Sequence, residues 1–353
     1  MIELKKLDGL IQEVLDFLYS IQCEDGSFTT YYRHPNETKN NWVKESSQNA
    51  AIDTASSLIP LLFIDSRVAT DILHKAKSFL LSSSLDRLLW RYIPASNHQH
   101  KIPFDIDSTS LSSFILRKLG LEIQNQSFLN QFINKQGYYD TYLIGKIPTF
   151  SLPFSTNFKL IFYSLNASSN HIISIEKNDF ETGTTCNALL YLGKRNVNDK
   201  VWATLINDLS NQNFKTVYFS EYYSFYAFAR LIKYGKHTSC HLSDLKLNGL
   251  IDYLYKGLTV QAEPLDTLFF LNALFLLEIH FEKPYLNLIE QSILEIQKGY
   301  YKTIQHYFTS HKVLTKDHLS YFGSTAVTSA LYLEFLNLYR NFAFGDYYKQ
   351  PLG

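Results

Sequence analysis

Three cysteines, Cys23, Cys186 and Cys240, are all that the 353 residues contain, an odd and scattered set. They support no disulfide framework, and a reducing compartment is the expectation. Net charge is also missing: 33 Lys and Arg balance 33 Asp and Glu, with a pI near 7.2. An even balance offers a phosphate backbone little to hold, so nucleic-acid partners are not expected. No apolar run approaches the roughly 18 residues a membrane span needs. Glu3, Lys5, Lys6 and Asp8 interrupt any apolar stretch near the first residue, and no secretory signal is visible there. Cytoplasmic location is the expectation. There is no glycine-rich phosphate loop, no nucleophile elbow and no low-complexity linker.

What the chain does have is aromatic residues, 15% of the total, with 25 Tyr and 26 Phe. They either fill a core or line a large cavity. It also has helical periodicity. Leu7, Leu10, Ile11, Val14, Leu15, Leu18 and Ile21 form a stripe at i, i+3, i+4 spacing, and similar stripes run through 70–82, 200–210, 243–256 and 285–297. No alternating strand pattern competes with them.

A second set of segments has another layout: "NAAIDTASSLIPLLFI", "DIDSTSLSSFILRKLG", "ETGTTCNALLYLG", "EYYSFYAFARLIKYG", "EPLDTLFFLNALFLLE" and "FGSTAVTSALYLEFLNLY". Each opens on small polar or acidic residues and continues into an apolar run. Asp53, Asp107, Glu181, Glu221, Asp266 and Ser324 suit an N-cap or a first helical turn. Six outer–inner helix pairs result. They predict an all-α fold, a single (α/α)6 toroid of about twelve helices spanning residues 1–353, with inner helices parallel and their N-terminal ends at one mouth. Periodicity alone leaves an open solenoid as the alternative. The long irregular stretches 28–48, 84–106 and 136–180 are expected to form lids or site walls.

The stretch "PFDIDST" holds two carboxylates, Asp105 and Asp107, where a helix start needs one. Capping accounts for a single acid and its hydroxyl neighbours. A coupled pair in an apolar setting would do more. Burial and a neighbouring carboxylate both favour the neutral form, with Asp107 expected to keep the proton. Such a group is a Brønsted acid.

At these residues the chain resembles the class II terpene cyclases, relatives of squalene–hopene cyclase, whose Asp-x-Asp-Asp or Asp-x-Asp-Thr-Thr element it approaches. Asp107 takes the central place, Asp105 the first, and Ser108 stands where the family has Asp or Thr. "IQCEDGSF" resembles the Gln-x-x-x-Gly-x-Trp repeat element of the same superfamily through Gln22, Asp25, Gly26 and Phe28. The resemblance implies an α/α toroid and an acid, Asp107 supported by Asp105, that protonates a linear isoprenoid, in some members a prenyl diphosphate.

An aromatic wall for the carbocation would come from Trp90, Tyr92, Phe104, Tyr222, Tyr223, Phe225, Tyr226, Tyr321 and Phe322, with Thr109 beside the acid. Arg33, Arg91 and Lys101 are the candidates for a diphosphate, with Lys44 and Arg230 as further cations; Mg²⁺ would accompany such a head group. The expected partner is a small-molecule isoprenoid, with peripheral membrane contact compatible with the reading. The alternatives are a non-catalytic isoprenoid-binding or interaction toroid, and a toroid glycoside hydrolase pairing Asp107 with Glu181 or Asp266. Zinc is not expected: no Asp-x-Cys occurs, Cys240 and His241 are followed by Leu242, and His98 and His100 have no partner ligand at suitable spacing.

Overall fold

The computed structural model describes residues 2–33, 41–44, 49–92, 104–143, 153, 155–156, 180–193, 199–216, 219–235, 247–261, 264–279, 283–310 and 320–345. Among them are twelve α-helices: α1 (Leu4–Ile21), α2 (Ala51–Leu58), α3 (Arg67–Ser82), α4 (Ile106–Lys118), α5 (Gln126–Leu129), α6 (Thr182–Leu192), α7 (Asp199–Ser210), α8 (Glu221–Tyr234), α9 (Leu247–Gln261), α10 (Pro264–Leu276), α11 (Lys283–Gln297) and α12 (Thr325–Phe344).

Odd- and even-numbered helices differ in composition and in place. α1 buries one stripe, Leu7, Leu10, Val14, Leu15 and Leu18, and leaves its other side to solvent. α6 is buried at every position from Thr182 to Leu192. A helix buried all round has neighbours on all sides, and the packing supplies them. α2 packs on α4, α4 on α6, α6 on α8, α8 on α10, α10 on α12, and α12 returns to α2. The ring is closed. The inner helices are the even-numbered ones; odd-numbered helices such as α1 and α3 cover it from outside. Small residues line the close contacts, with Ala51, Ala55, Ser108 and Ser112 all fully buried.

Side chains at the inner-helix starts bond to one another, which places those starts at one mouth. Ser220, the N-cap of α8, donates to Asp266 in the first turn of α10 at 2.8 Å. Glu181, before α6, accepts the Phe219 N–H at 2.9 Å. Ser324, before α12, donates to the Thr29 carbonyl, and Thr30 donates to Asp53 of α2 at 2.8 Å. These are the residues whose sequence context predicts helix starts.

Four short strands, which no alternating pattern in the sequence announces, accompany the helices. β1 (Tyr31–Arg33), β2 (Val43–Lys44), β3 (His306–Ser310) and β4 (Ser320–Gly323) make an antiparallel sheet in the order β2-β1-β4-β3. They lie within connecting segments at this mouth and have two to five residues each. That is too short for alternation to register.

The "IQCEDGSF" element locks α1 to α3. Gln22 donates its amide to the Gly26 carbonyl and to the Ile72 carbonyl of α3, both at 3.0 Å. Gly26 has φ +91°, and a Cβ there would stand 2.1 Å from the Lys75 carbonyl oxygen. Only glycine permits that approach. No helix among the described residues is long and apolar enough to cross a membrane.

Candidate active site

The two carboxylates of "DIDST" divide their work. Asp105 is the N-cap of α4 in extended conformation, and its Oδ1 accepts the Ser108 N–H at 2.6 Å. Asp107, two residues later in the first turn, is therefore free of capping and points to the next inner helix. Thr184 of α6 donates to its Oδ2 at 2.6 Å, and Asn187 donates to its Oδ1 at 2.9 Å. Thr184 and Asn187 are three residues apart, so both face one side of α6.

The network continues round the ring. Asn187 gives its second amide hydrogen to the Tyr223 hydroxyl of α8 at 2.8 Å. Its oxygen accepts from Arg230 Nη2 at 3.2 Å. Arg230 lies over the Tyr226 ring, 4.4 Å from its centroid. Tyr226 donates to Glu334 of α12, and Tyr234 reaches the other oxygen of Glu334 at 3.4 Å. Tyr223, Tyr226 and Arg230 recur at i, i+3 and i+7, one face of α8. Gly183 is what lets Tyr223 sit here, since a Cβ on it would come 2.9 Å from the ring.

Burial sets the electrostatics. Asp107, Arg230 and Glu334 are 5%, 2% and 3% exposed. Desolvation raises the pKa of Asp107, while Thr184, Asn187 and the Arg230 charge pull it back. Asp105 is pushed up to about 7, by burial first and also by the charge of Asp107, against the Ser108 N–H and the Tyr92 backbone. Sequence reasoning gave the retained proton to Asp107. In the structure burial raises both carboxyls, opposed at Asp105 by hydrogen bonds from Ser108 and the Tyr92 backbone and at Asp107 by Thr184, Asn187 and the Arg230 charge. Asp53 on α2 is raised to about 8 by burial, against its bond from Thr30. Burial likewise raises Glu334, opposed by Tyr226, Arg230 and Tyr234.

The other sequence candidates fall into three groups. Tyr223 and Tyr226 join the Asp107 network. Tyr92, Phe104, Phe322, Arg91 and Arg33 gather at the mouth. Tyr92 and Phe322 meet edge to face at 5.2 Å, Arg91 lies 4.3 Å over Phe104, and Arg33 lies 5.2 Å over Trp42. Trp90, Thr109 and Tyr222 do not join either group. The Trp90 indole donates to the Leu80 carbonyl of outer helix α3, and Thr109 exchanges hydrogen bonds with the Trp90 backbone. Tyr222 donates to the Leu254 carbonyl of outer helix α9. Phe225 packs on Phe270. Lys44 is exposed in β2.

Lys101, His98, His100, Cys240, His241 and most of 136–180 lie outside the described residues, as does the side chain of Tyr321, whose backbone pairs with Arg33. Among the described residues no group of three or more His, Cys, Asp or Glu could hold a metal. The carboxylates considered as glycosidase partners of Asp107 are engaged at helix starts, Glu181 with Phe219 N–H and Asp266 with Ser220.

Sequence reasoning missed Thr184, Asn187 and Glu334, and read Arg230 only as one more cation. A signal was present: each is a polar residue inside an otherwise apolar inner segment, and a polar group in a helix buried all round needs a partner. Along the axis, Tyr223, Tyr226, Arg230, Phe269 and Leu331 border a cavity of about 10 Å³.

No family model and no curated protein matches the chain. Solved structures do. The apo type II terpene cyclase MstE from Scytonema superposes with a TM-score of 0.61 at 12% identity, covering 95% of this chain and 98% of that one. A variant of the same cyclase, in complex with geranylgeranyl dihydroxybenzoate as substrate, gives 0.59 at 11% identity, again with 95% and 98% coverage. At such identity the likeness is one of fold. This chain has the type II terpene cyclase-like α/α toroid.

Proposed function

We propose that this protein, acting as one toroid over residues 1–353, is a protonation-initiated terpene cyclase of the class II type whose substrate is a linear isoprenoid. The observation that supports this most is Asp107. It is a buried carboxyl at the mouth of a closed toroid, relieved of capping by Asp105 and held at both oxygens by the next inner helix.

Protonating an alkene demands a strong acid and a place for its conjugate base. Burial raises both carboxyls and so favours their protonated forms. When Asp107 gives its proton up, its O–H bond breaks and a C–H bond forms at the less substituted alkene carbon, leaving a tertiary cation. The new carboxylate finds the Asn187 amide already aimed at it and the Thr184 hydroxyl in place to turn and donate, with the Arg230 charge behind. Donors fixed in advance need no reorganisation during the step, which is where an enclosed site gains over water. The cation next meets the faces of Tyr223, Tyr226 and Phe269, each worth about 0.5–2 kcal/mol. Attack by an internal alkene closes a ring, and loss of a proton ends the cascade. Arg33 and Arg91 at the mouth are suited to an anionic or polar head group. Mg²⁺ belongs to this reading only as the companion of a diphosphate and takes no part in proton transfer. A prenylated aromatic compound, of the kind carried by the structural neighbour, is the substrate class favoured first.

A second reading, a non-catalytic toroid that presents a surface to a partner, is favoured by the axial cavity of about 10 Å³, room for one water. Ligand sites usually offer about 300–1,000 Å³. In the cyclase reading Tyr223, Tyr226, Phe269 and Leu331 move aside as substrate enters. Incubating wild type and Asp107→Asn with C10 to C30 isoprenoids, free and prenylated on an arene, separates the two. Cyclised product from wild type only, with binding retained by the Asn variant, is expected. Absence of both product and isoprenoid binding with wild type points to the second reading. Equal turnover by both removes Asp107 as the acid.

A further inference from the structure

We propose that Arg230 is the positioning residue of the candidate acid: by holding the Asn187 amide in one orientation it decides which oxygen of Asp107 carries the proton. The inference rests on Asp107 being the acid and adds to that reading.

An asparagine amide has a donor end and an acceptor end of nearly equal size, and its neighbours choose between the two orientations. Asn187 sits between Arg230 and Asp107. A guanidinium has donors only, so the face of Asn187 toward Arg230 must be its oxygen, as found at 3.2 Å. The NH₂ is then turned to Asp107 Oδ1, 2.9 Å away, and to the Tyr223 hydroxyl, 2.8 Å away. Both its hydrogens are used.

An oxygen facing an N–H donor is the acceptor end of a neutral carboxyl. Oδ1 of Asp107 is therefore the carbonyl end, and the proton resides on Oδ2. The group facing Oδ2 is the Thr184 hydroxyl at 2.6 Å, which accepts as readily as it donates and has Glu181 Oε2 at 3.4 Å to receive its own hydrogen. Once the proton has left, Thr184 turns back and donates to the anion. Arg230 is itself held by Tyr226 and by the field of Glu334, so its place does not depend on Asp107. Without Arg230 the amide is free to turn. Its oxygen then accepts a hydrogen bond from a proton carried on Oδ1, holding that proton in a bond directed away from Thr184, and the carboxylate loses both a donor and a nearby positive charge. Asp107 becomes a weaker acid.

Among the described residues, the charged and titratable groups coupled to Asp107 are Asp105 at the start of its own helix, Cys186 on α6, Tyr223 and Arg230 on α8, and Glu181 through Thr184. Arg230 is the only cation among them, so the sign of its removal is set.

The test follows the Asp107 carboxyl by infrared difference spectroscopy against Asp107→Asn across pH, on the whole chain and without substrate. In Arg230→Gln the protonated band should persist upward by roughly one pH unit, the low end of what a nearby charge does. Arg230→Lys keeps a charge and a donor and should stay near wild type. In an Asn187→Leu background, Arg230→Gln should add much less, because the relay is already gone. Arg230→Gln combined with Glu334→Gln keeps the buried charge balanced if the single variant folds poorly. With a turned-over substrate, kcat of Arg230→Gln should fall roughly 10-fold, part of the 10²–10⁴ that a positioned acid contributes, with KM little changed. An unshifted band in Arg230→Gln, no titrating Asp107 band in wild type, or an undiminished shift in the Asn187→Leu background overturns the proposal. The infrared arms do not depend on turnover, so a chain that cyclises nothing refutes the function while these arms still decide the role of Arg230.

Discussion

Asn187 reaches Asp107 from 80 residues further along the chain and holds its Oδ1 at 2.9 Å. The contact joins the first turn of α4 to the middle of α6, and through Arg230 it extends to α8. A capping aspartate bonds within its own first turn, as Asp105 does with Ser108. Asp107 spends its oxygens on another helix, and that is what separates a candidate acid from a helix start.

Asp105 and Asp107 titrate as a coupled pair, so the pH dependence of cyclisation belongs to both. The acid works protonated, and activity should fall as pH rises. Asp105 is the member pushed up to about 7. Asn caps a helix about as well as Asp, so Asp105→Asn should fold normally. Its pH–rate profile should show one ionisation, with the step near 7 gone. A step that survives the substitution belongs to another group.

Asp53 links the mouth to stability. Its folded pKa is raised to about 8, whereas an aspartate in the unfolded chain titrates near 3.9. Between these values the native state holds a proton that the unfolded state has released, so stability is greatest at the acid end and falls as pH rises toward 8. Asp105 contributes in the same direction. Tm should therefore decrease from pH 5 to pH 8, and Asp53→Asn should flatten part of that slope. A slope identical to wild type would remove Asp53 from the account.

Thr184→Val keeps the shape of the side chain and deletes the donor to Asp107 Oδ2. Hydrogen bonds to charged groups contribute about 1.5–3 kcal/mol, and this one is fully needed only after the proton has left. A loss in kcat of roughly 10- to 100-fold with KM nearly constant is expected from steady-state kinetics. A change confined to KM would place Thr184 in ground-state binding instead.

Gly183→Ala puts a methyl group 2.9 Å from the Tyr223 ring. The ring must shift, and its hydroxyl is a partner of Asn187. Overpacking of this kind costs about 1–3 kcal/mol, readable from urea unfolding. Activity should fall further than the folded fraction does. Wild-type stability and turnover would show that Tyr223 moves without consequence.

Gly26→Ala tests the α1–α3 junction, far from the chemistry. The positive φ and the contact with the Lys75 carbonyl both oppose a side chain. A loss above about 1 kcal/mol is expected, with kcat of the folded protein unchanged.

Much of the fold was readable from residues near one another in the chain. The stripe from Leu7 to Ile21 marks an outer helix because one face meets the core. The acidic or hydroxyl openings at Asp53, Asp107, Glu181, Asp266 and Ser324 mark inner-helix starts because such residues favour a first helical turn, although side-chain caps come from Asp105 and Ser220 and these residues bond to neighbouring segments instead. Those local rules were enough for two kinds of helix, five outer stripes and six inner starts, and for the suspicion that Asp107 was surplus to capping; the four-residue α5 is too short to carry a stripe. They could not say that α12 packs on α2, since closure depends on small crossing angles summed over six pairs and no single segment records it. Nor could they send the Trp90 indole and Tyr222 outward to α3 and α9 while Tyr223 and Tyr226 turned toward Arg230. Neighbouring helical residues point about 100° apart, and only the packed ring decides which direction is inward. The partners of Asp107 were hidden for the same reason. Thr184, Asn187 and Arg230 look like ordinary polar residues along the chain, and the tertiary structure makes them one network by excluding the water that would otherwise have satisfied each of them separately.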